Sequence, residues 1–168
     1  TIEISNRVEE LIDLMEKNVM DGLIVGVDPP SEKILKRVKK PIVSMDRNWG
    51  KGIPIITSDN KKGAQLIADQ IIQAGCKKIL TLEGKTYIHH PFEERGLGMK
   101  QILNKNGISV ISAEVELNVL SYEYYMWIVE KYLDLFDDVD AVYAGDLLAV
   151  ACMAVVKKRG IRVPEDLK

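Results

Sequence analysis

The chain has 168 residues, 46% hydrophobic and 29% charged, with a net charge of -2 and a pI near 5.8. This is globular usage, enough for one ordinary core or two small lobes, and it excludes a disordered or fibrous protein. A mildly acidic balance gives no general attraction to nucleic acid or anionic membrane, so DNA binding by a longer protein would need a basic segment elsewhere. No stretch is apolar enough for a membrane span, and Thr1-Ile2-Glu3-Ile4 lacks the basic start and apolar centre of a secretory signal. Cys76 and Cys152 stand far apart with no metal-type spacing and read as two reduced thiols of a cytoplasmic protein.

Ile4, Val8, Leu11, Ile12 and Met15 recur at helical spacing, and after Asp21-Gly22 the run Leu23 to Val27 is too short for anything but a strand. A short helix is predicted over Ser31 to Val38, with strands at Pro41 to Met45 and Pro54 to Ser58. Asn60 to Ala74 is the clearest helix: Ala64, Ile67, Ala68, Ile71 and Ile72 share one face and Gly75 follows its end. The alternation continues with strand Lys78 to Glu83, helix Phe92 to Asn104, strand Ile108 to Val115 and helix Tyr122 to Phe136.

Val139 to Ala144 is then a strand, followed by Gly145-Asp146 and the unbroken apolar run Leu147 to Val156. Asp146 is placed to cap that helix, and Gly160 with Pro164 closes it. A further strand is expected after Lys168. Strands alternating with helices imply parallel sheets covered on both faces by helices, and a lobe boundary is drawn at Gly75-Cys76, giving lobes over 1–75 and 76–168.

In open parallel sheets, ligands collect beyond the carboxyl ends of the strands. The predicted strands end in Asp28, Asp46, Asp59, Glu83 and Asp146, an acidic rim whose members could equally be helix caps. Arg95 is the one cation near a helix start in the second half; it could clamp a polar ligand or pair on the surface with Glu93 or Glu94. His89-His90 beside Glu93 and Glu94 fits no established metal motif. The chain carries neither a glycine-rich phosphate loop nor a G-x-S-x-G elbow, and no cofactor is implied. Asp134, Asp137, Asp138 and Asp140 lack the glycine turn of a calcium loop and read as a solvated helix end. A helix lying on a sheet needs only one apolar face, so the second apolar face of Leu147 to Val156 calls for a partner subunit or further chain.

The ordered set Asp21-Gly22-Leu23-Ile24-Val25, Pro41-Ile42-Val43 through Asp46-Arg47, Ser58-Asp59-Asn60 with Gly63-Ala64, Gly75 before Lys78-Ile79, Arg95 with Gly98, and Gly145-Asp146 through Val163-Pro164-Glu165-Asp166-Leu167 resembles the effector-binding region of LacI-family transcriptional repressors. The Val-Pro-Glu-Asp ending looks more like the repressors than their periplasmic sugar-binding relatives. The resemblance implies an α/β fold of two Rossmann-like lobes, periplasmic-binding-protein type I-like and incomplete at both ends. It implies a sugar, phosphosugar or purine-like effector held between lobes, homodimerisation, and operator DNA bound by a helix-turn-helix domain absent from this chain.

By the same resemblance Arg95 matches a ligand-contacting arginine and Asp59 a cleft aspartate. Asp59 and Asp146 would accept from ligand hydroxyl or amino groups, Asp46 is a further candidate ligand contact, and Phe92 and Leu120 would form apolar walls. Gly145 replaces an asparagine that commonly touches the ligand, Leu120 replaces a stacking aromatic, and Cys76 stands where a histidine is usual. The first two departures argue against the family's standard hexose or pentose mode. The implied protein is a ligand-sensing regulator and not an enzyme. Its rivals are a transport-type solute-binding protein and a small α/β enzyme using His89, His90 and Glu94.

Overall fold

A computed structural model of the chain describes residues 2–84, 93–116, 119 and 121–168, with the side chains of residues 2–6 left aside. The described chain forms two compact units, one of residues 2–60 with 93 and 94, the other of residues 61–84 and 95–168. The boundary expected at Gly75-Cys76 follows the strand pattern, whereas the packing divides the chain between Asn60 and Lys61. Ala64 and Ala68 are buried with Ile79, Met99 and Leu103 in one core cluster, which assigns their helix to the second unit.

The first unit runs α1 (Ile2–Glu16), β1 (Leu23–Val25), α2 (Glu32–Leu35), β2 (Ile42–Met45) and β3 (Ile55–Ile56). Its strands pair in parallel in the order β1-β2-β3, with Leu23 opposite Ile42 and Ser44 opposite Ile55. Val8, Ile12 and Met15 at helical spacing pack with Val25, Ile42 and Trp49 on one side of the sheet, where Ile34 and Leu35 of α2 join them. The Trp49 indole N–H donates to the Val27 carbonyl at 2.8 Å, so its buried polar atom is satisfied. Arg37 ties α2 to α1 by donating to Glu9, Asp13 and Glu16. The opposite face carries Ile24, Met45 and Ile56, all exposed, because α1 and α2 both pack on the Val25–Ile42 side.

The second unit contains α3 (Asn60–Gln73) from Lys61 onward, β4 (Lys78–Gly84), α4 (Glu93–Lys105) from Arg95 onward, β5 (Ser109–Val115), α5 (Tyr122–Leu135), β6 (Ala141–Ala144) and α6 (Asp146–Lys158). Its parallel sheet has the order β5-β4-β6, so β4 is flanked on both edges. Side-chain alternation sorts the core by face. Leu80 and Leu82 pack with Ala113 and Val115 of β5 against Ile128, Val129, Leu148, Ala151 and Val155 of α5 and α6. Ile79 packs on the other face with Ala141 against Ala68 of α3 and Met99 and Leu103 of α4. Helices α3, α4 and α6 are each followed by a glycine at positive φ (Gly75, Gly107 and Gly160), the left-handed turn that stops a helix without a Cβ penalty.

The amino end of this sheet is pinned by Asp140, whose Oδ2 accepts from the backbone N–H of Lys77 at 2.6 Å and of Lys78 at 2.9 Å. Asp138 pairs with Lys78 and Asp134 with Arg159, so these members of the acidic helix end have protein partners. Lys168 N–H donates to Asp140 O and Val142 N–H donates to Lys168 O, the pattern of a parallel neighbour on the free edge of β6. Cys76 and Cys152 are both buried as free thiols, and burial pushes both thiols up. Among the described residues no helix is long and apolar enough to cross a membrane.

Helices α3 and α4 approach through small residues: a Cβ on Gly98 would stand 3.0 Å from the Ala64 Cβ. Gly98→Val therefore overpacks this contact and lowers stability by about 1–3 kcal/mol in urea denaturation. The two backbone donors hold the Asp140 carboxyl below the usual aspartate range, so its stabilising contribution is full above a pH of about 3.9 and fades as pH falls through the lowered folded value. Asp140→Ala is thus less stable than the parent at pH 7. The gap narrows as the pH drops below about 3.9, measured by denaturation across a pH series.

Candidate functional site

On the first unit, β2 ends at Met45 and the chain turns at once through Asp46, whose φ of 53° places it in the left-handed region that aspartate tolerates better than most residues. The turn is held from both sides. Asp46 N–H donates to Ile56 O at 3.0 Å, Thr57 Oγ donates to the Asp46 carboxylate at 2.6 Å, and Arg47 Nη1 donates to the Asp46 carbonyl at 2.9 Å. Buried Ser44 donates to Arg47 O at 2.6 Å, fixing the backbone just past the turn. Arg47 Nε lies 3.1 Å from Asp28 Oδ1, yet it makes no well-directed hydrogen bond there. We read the contact as an ion pair at poor angle, which keeps the charges paired without the directional gain. Asp59 is exposed directly before Asn60, which is buried and opens α3.

On the second unit the carboxyl ends of β4 and β6 and the start of α4 bring a polar group together. Arg95 lies in the first turn of α4, partly buried, and its stem crosses α3 at Gly63, where a Cβ would stand 3.4 Å from Arg95 Nε and 3.5 Å from Cδ. Tyr143 of β6 sits opposite Thr81 of β4 in the register. Burial pushes the Tyr143 phenol up, the Arg95 charge opposes that rise and the Glu83 charge adds to it. Arg95 and Glu83 therefore both lie within electrostatic reach of the Tyr143 phenol. Glu83 accepts from Lys100 Nζ of α4. Such a group can hold a small polar molecule through a guanidinium with paired donors, a carboxylate and a phenol.

Three of the rim carboxylates have side-chain partners away from helix starts. Asp28 faces Arg47, Asp46 accepts from Thr57 and Glu83 accepts from Lys100. Asp146, expected to cap α6, is instead its first helical residue; the N-cap is Gly145, which supplies no side-chain bond. The reason is one of register: the chain is still extended at Gly145 (φ -69°, ψ 162°), so Asp146 already has helical geometry and acts only as a negative charge at the positive helix end. A Cβ on Gly145 would meet nothing within 4 Å, so the backbone does not demand glycine there. Phe92 and Leu120, expected as apolar walls, and His89 and His90 of the rival enzyme reading lie outside the described residues.

Tyr143, Lys100 and Thr57 were not singled out as site residues by the sequence. Tyr143 lies in an apolar strand, where only its phenol distinguishes it, and Lys100 reads as one more helix-surface charge. The clue that was present is the pair Gly96 and Gly98 inside an otherwise regular helix, a costly choice that signals close approach.

The sequence profile described as periplasmic binding proteins and sugar binding domain of LacI family matches residues 2–168. The chain is 24% identical to the ribose operon repressor of Halalkalibacterium halodurans, covering 100% of this chain and 52% of that protein. It is 26% identical to the sucrose operon repressor of Streptococcus mutans, with 95% and 48% covered. It thus spans about half the length of the curated relatives it matches. Among solved structures, a LacI family transcriptional regulator from Bifidobacterium animalis superposes with a TM-score of 0.78 at 21% identity, covering 96% of this chain and 60% of that one. A periplasmic binding protein/LacI transcriptional regulator from Alkaliphilus metalliredigens, complexed with D-xylulofuranose, gives 0.77 at 20% identity over 98% and 60%. With two parallel α/β units, their polar rims and a profile match along nearly its whole length, the chain belongs to the family of periplasmic binding proteins and sugar-binding domains of LacI type.

Proposed function

We propose that this chain is the effector-binding part of a cytoplasmic LacI-type transcriptional regulator. The observation that supports this reading is the family match over residues 2–168, together with Arg95 in the first turn of α4 within electrostatic reach of Tyr143. Arg95 clamps the effector through paired donors and Asp146 on the same unit accepts from its hydroxyl or amino groups; Asp46 and Asp59 are the candidate acceptors of the first unit. The effector is a sugar, a phosphosugar or a purine-like molecule. Binding shifts the population between DNA-competent and incompetent states. Contact with operator DNA belongs to a separate helix-turn-helix domain, since a net charge of -2 gives this chain no basic footprint. The named relatives are operon repressors, which favours regulation over transport or catalysis.

A thermal-shift panel of sugars, phosphosugars and purines tests this. An effector at a hundred times its Kd stabilises by about 2.7 kcal/mol, a rise of roughly 5–11 °C for a domain of this size. Arg95→Ala abolishes that rise while the unliganded melting temperature stays close to the parent's. A panel in which nothing stabilises the protein would sink the effector reading.

The same regulator works as a homodimer through α6. Leu148, Ala151, Cys152, Val155 and Val156 bury one face of that helix on the sheet, while Leu147, Val150 and Met153 stand 58%, 61% and 54% exposed at three-residue steps on another. A row of apolar side chains in water is the expected mark of an interface. Val150→Asp with Met153→Asp converts the dimer to a monomer in sedimentation velocity. A wild-type protein that already sediments as a monomer would refute the assignment.

A further inference from the structure

Glu83 does something that neither the family match nor the effector reading assigns. By alternation along β4 its side chain lies on the face of Ile79 and Thr81, the face that α3 and α4 cover. Both of its carboxylate oxygens are directed at α4. Oε2 accepts from Lys100 Nζ, and the pair is well shielded, with the lysine side chain 18% and the glutamate 32% exposed. Oε1 occupies the place a side chain at position 96 would take: a Cβ on Gly96 would stand 2.8 Å from it, closer than real contacts come. Residues 96 and 100 lie one helical turn apart on one face of α4, so a single carboxylate grips the helix at two points.

That contact falls where the described helix brings few side chains of its own into the core. Gly96 and Gly98 bring no side chain, Leu97 is 53% exposed, and the first large buried residue is Met99. Two glycines inside a helix lower its stability relative to alanine, and a shielded ion pair is a poor source of compensating stability. Stability alone therefore does not account for the arrangement, whereas placement does. Arg95 directly precedes Gly96, its stem lies along Gly63 of α3, and both Arg95 and Glu83 are felt by the Tyr143 phenol.

We propose that Glu83, seated on the bare backbone of Gly96 and anchored by Lys100, is a positioning residue that fixes where α4 presents Arg95. The role of Arg95 rests on the effector reading above; its fixed placement does not, and the two are tested separately. In ¹⁵N–¹H spectra of the ligand-free protein, Arg95 gives a resolved Nε–H cross-peak with backbone-like heteronuclear NOE, identified by its loss in Arg95→Lys. Gly96→Ala pushes the carboxylate aside yet improves helix propensity, so the melting temperature holds while the Arg95 peak collapses into the averaged position of mobile arginines. Adding Glu83→Asp, one methylene shorter, to Gly96→Ala makes room for the new methyl and restores the peak. Glu83→Gln, which keeps the shape and loses the charge, weakens the order of Arg95 even if Glu83→Ala fails to fold. An Arg95 peak unchanged in Gly96→Ala and Glu83→Gln, or absent from the ordered set in the parent protein, overturns the proposal. Either result leaves the effector screen to be judged on its own.

Discussion

Strand β4 is the constraint on which the second unit depends. It is paired in parallel on both edges and buried on both faces, with Ile79, Leu80 and Thr81 fully enclosed. A strand in that position has no free backbone and no solvent side, so its neighbours must return by crossover helices that cover both faces. Its apolar residues then sort the helices: Leu80 and Leu82 take α5 and α6, and Ile79 takes α3 and α4. Thr81, the one polar side chain at its buried centre, is satisfied by Ile111 O at 3.3 Å or Ser112 Oγ at 3.2 Å, so it costs little. Where β4 emerges at its carboxyl end, Glu83 turns from the core to α4 and accepts from Lys100.

The placement of Arg95 follows from contacts that lack side chains as much as from those that have them. Gly98 against Ala64 sets the spacing of α3 and α4, Gly63 leaves a lane for the arginine stem, and Gly96 leaves a seat for Glu83. Bare backbone allows approach distances that any Cβ would forbid, and packed interiors transmit a shift of a few tenths of an ångström. Surface ion pairs such as Lys36 with Glu32 contribute at most about 1 kcal/mol and do not decide this geometry.

The acidic rim changes meaning once partners are known. A row of strand-end carboxylates reads as a set of interchangeable acceptors, but Asp28 and Asp46 brace the turn after β2 and Glu83 braces α4. A carboxylate already engaged offers less to a ligand than an open one, and it fixes the geometry of the groups beside it. On this unit Glu83 is such an engaged carboxylate, and Arg95 is the cation within reach of the same phenol, Tyr143. Helix α6 shows the same division of labour, one face packed on the sheet and Leu147, Val150 and Met153 exposed on another.

The strand and helix order, the parallel class and the family were all legible in the chain, because each rests on local periodicity and on motifs in fixed order. The helix Asn60–Gln73 ending before Gly75 and the buried stripe Tyr125, Ile128, Val129 and Leu133 are direct readings of such spacing. Four matters were decided only by tertiary structure. These were the packing of α3 with the second unit, the cap of α6 at Gly145, the one-sided cover of the first sheet and the joining of Glu83 to Gly96 and Lys100. Periodicity records which residues turn inward, but it cannot say which neighbour an inward residue meets. That depends on distances between segments far apart in sequence, and a glycine, having no side chain to pattern, reveals its purpose only when the atom that fills its space is known.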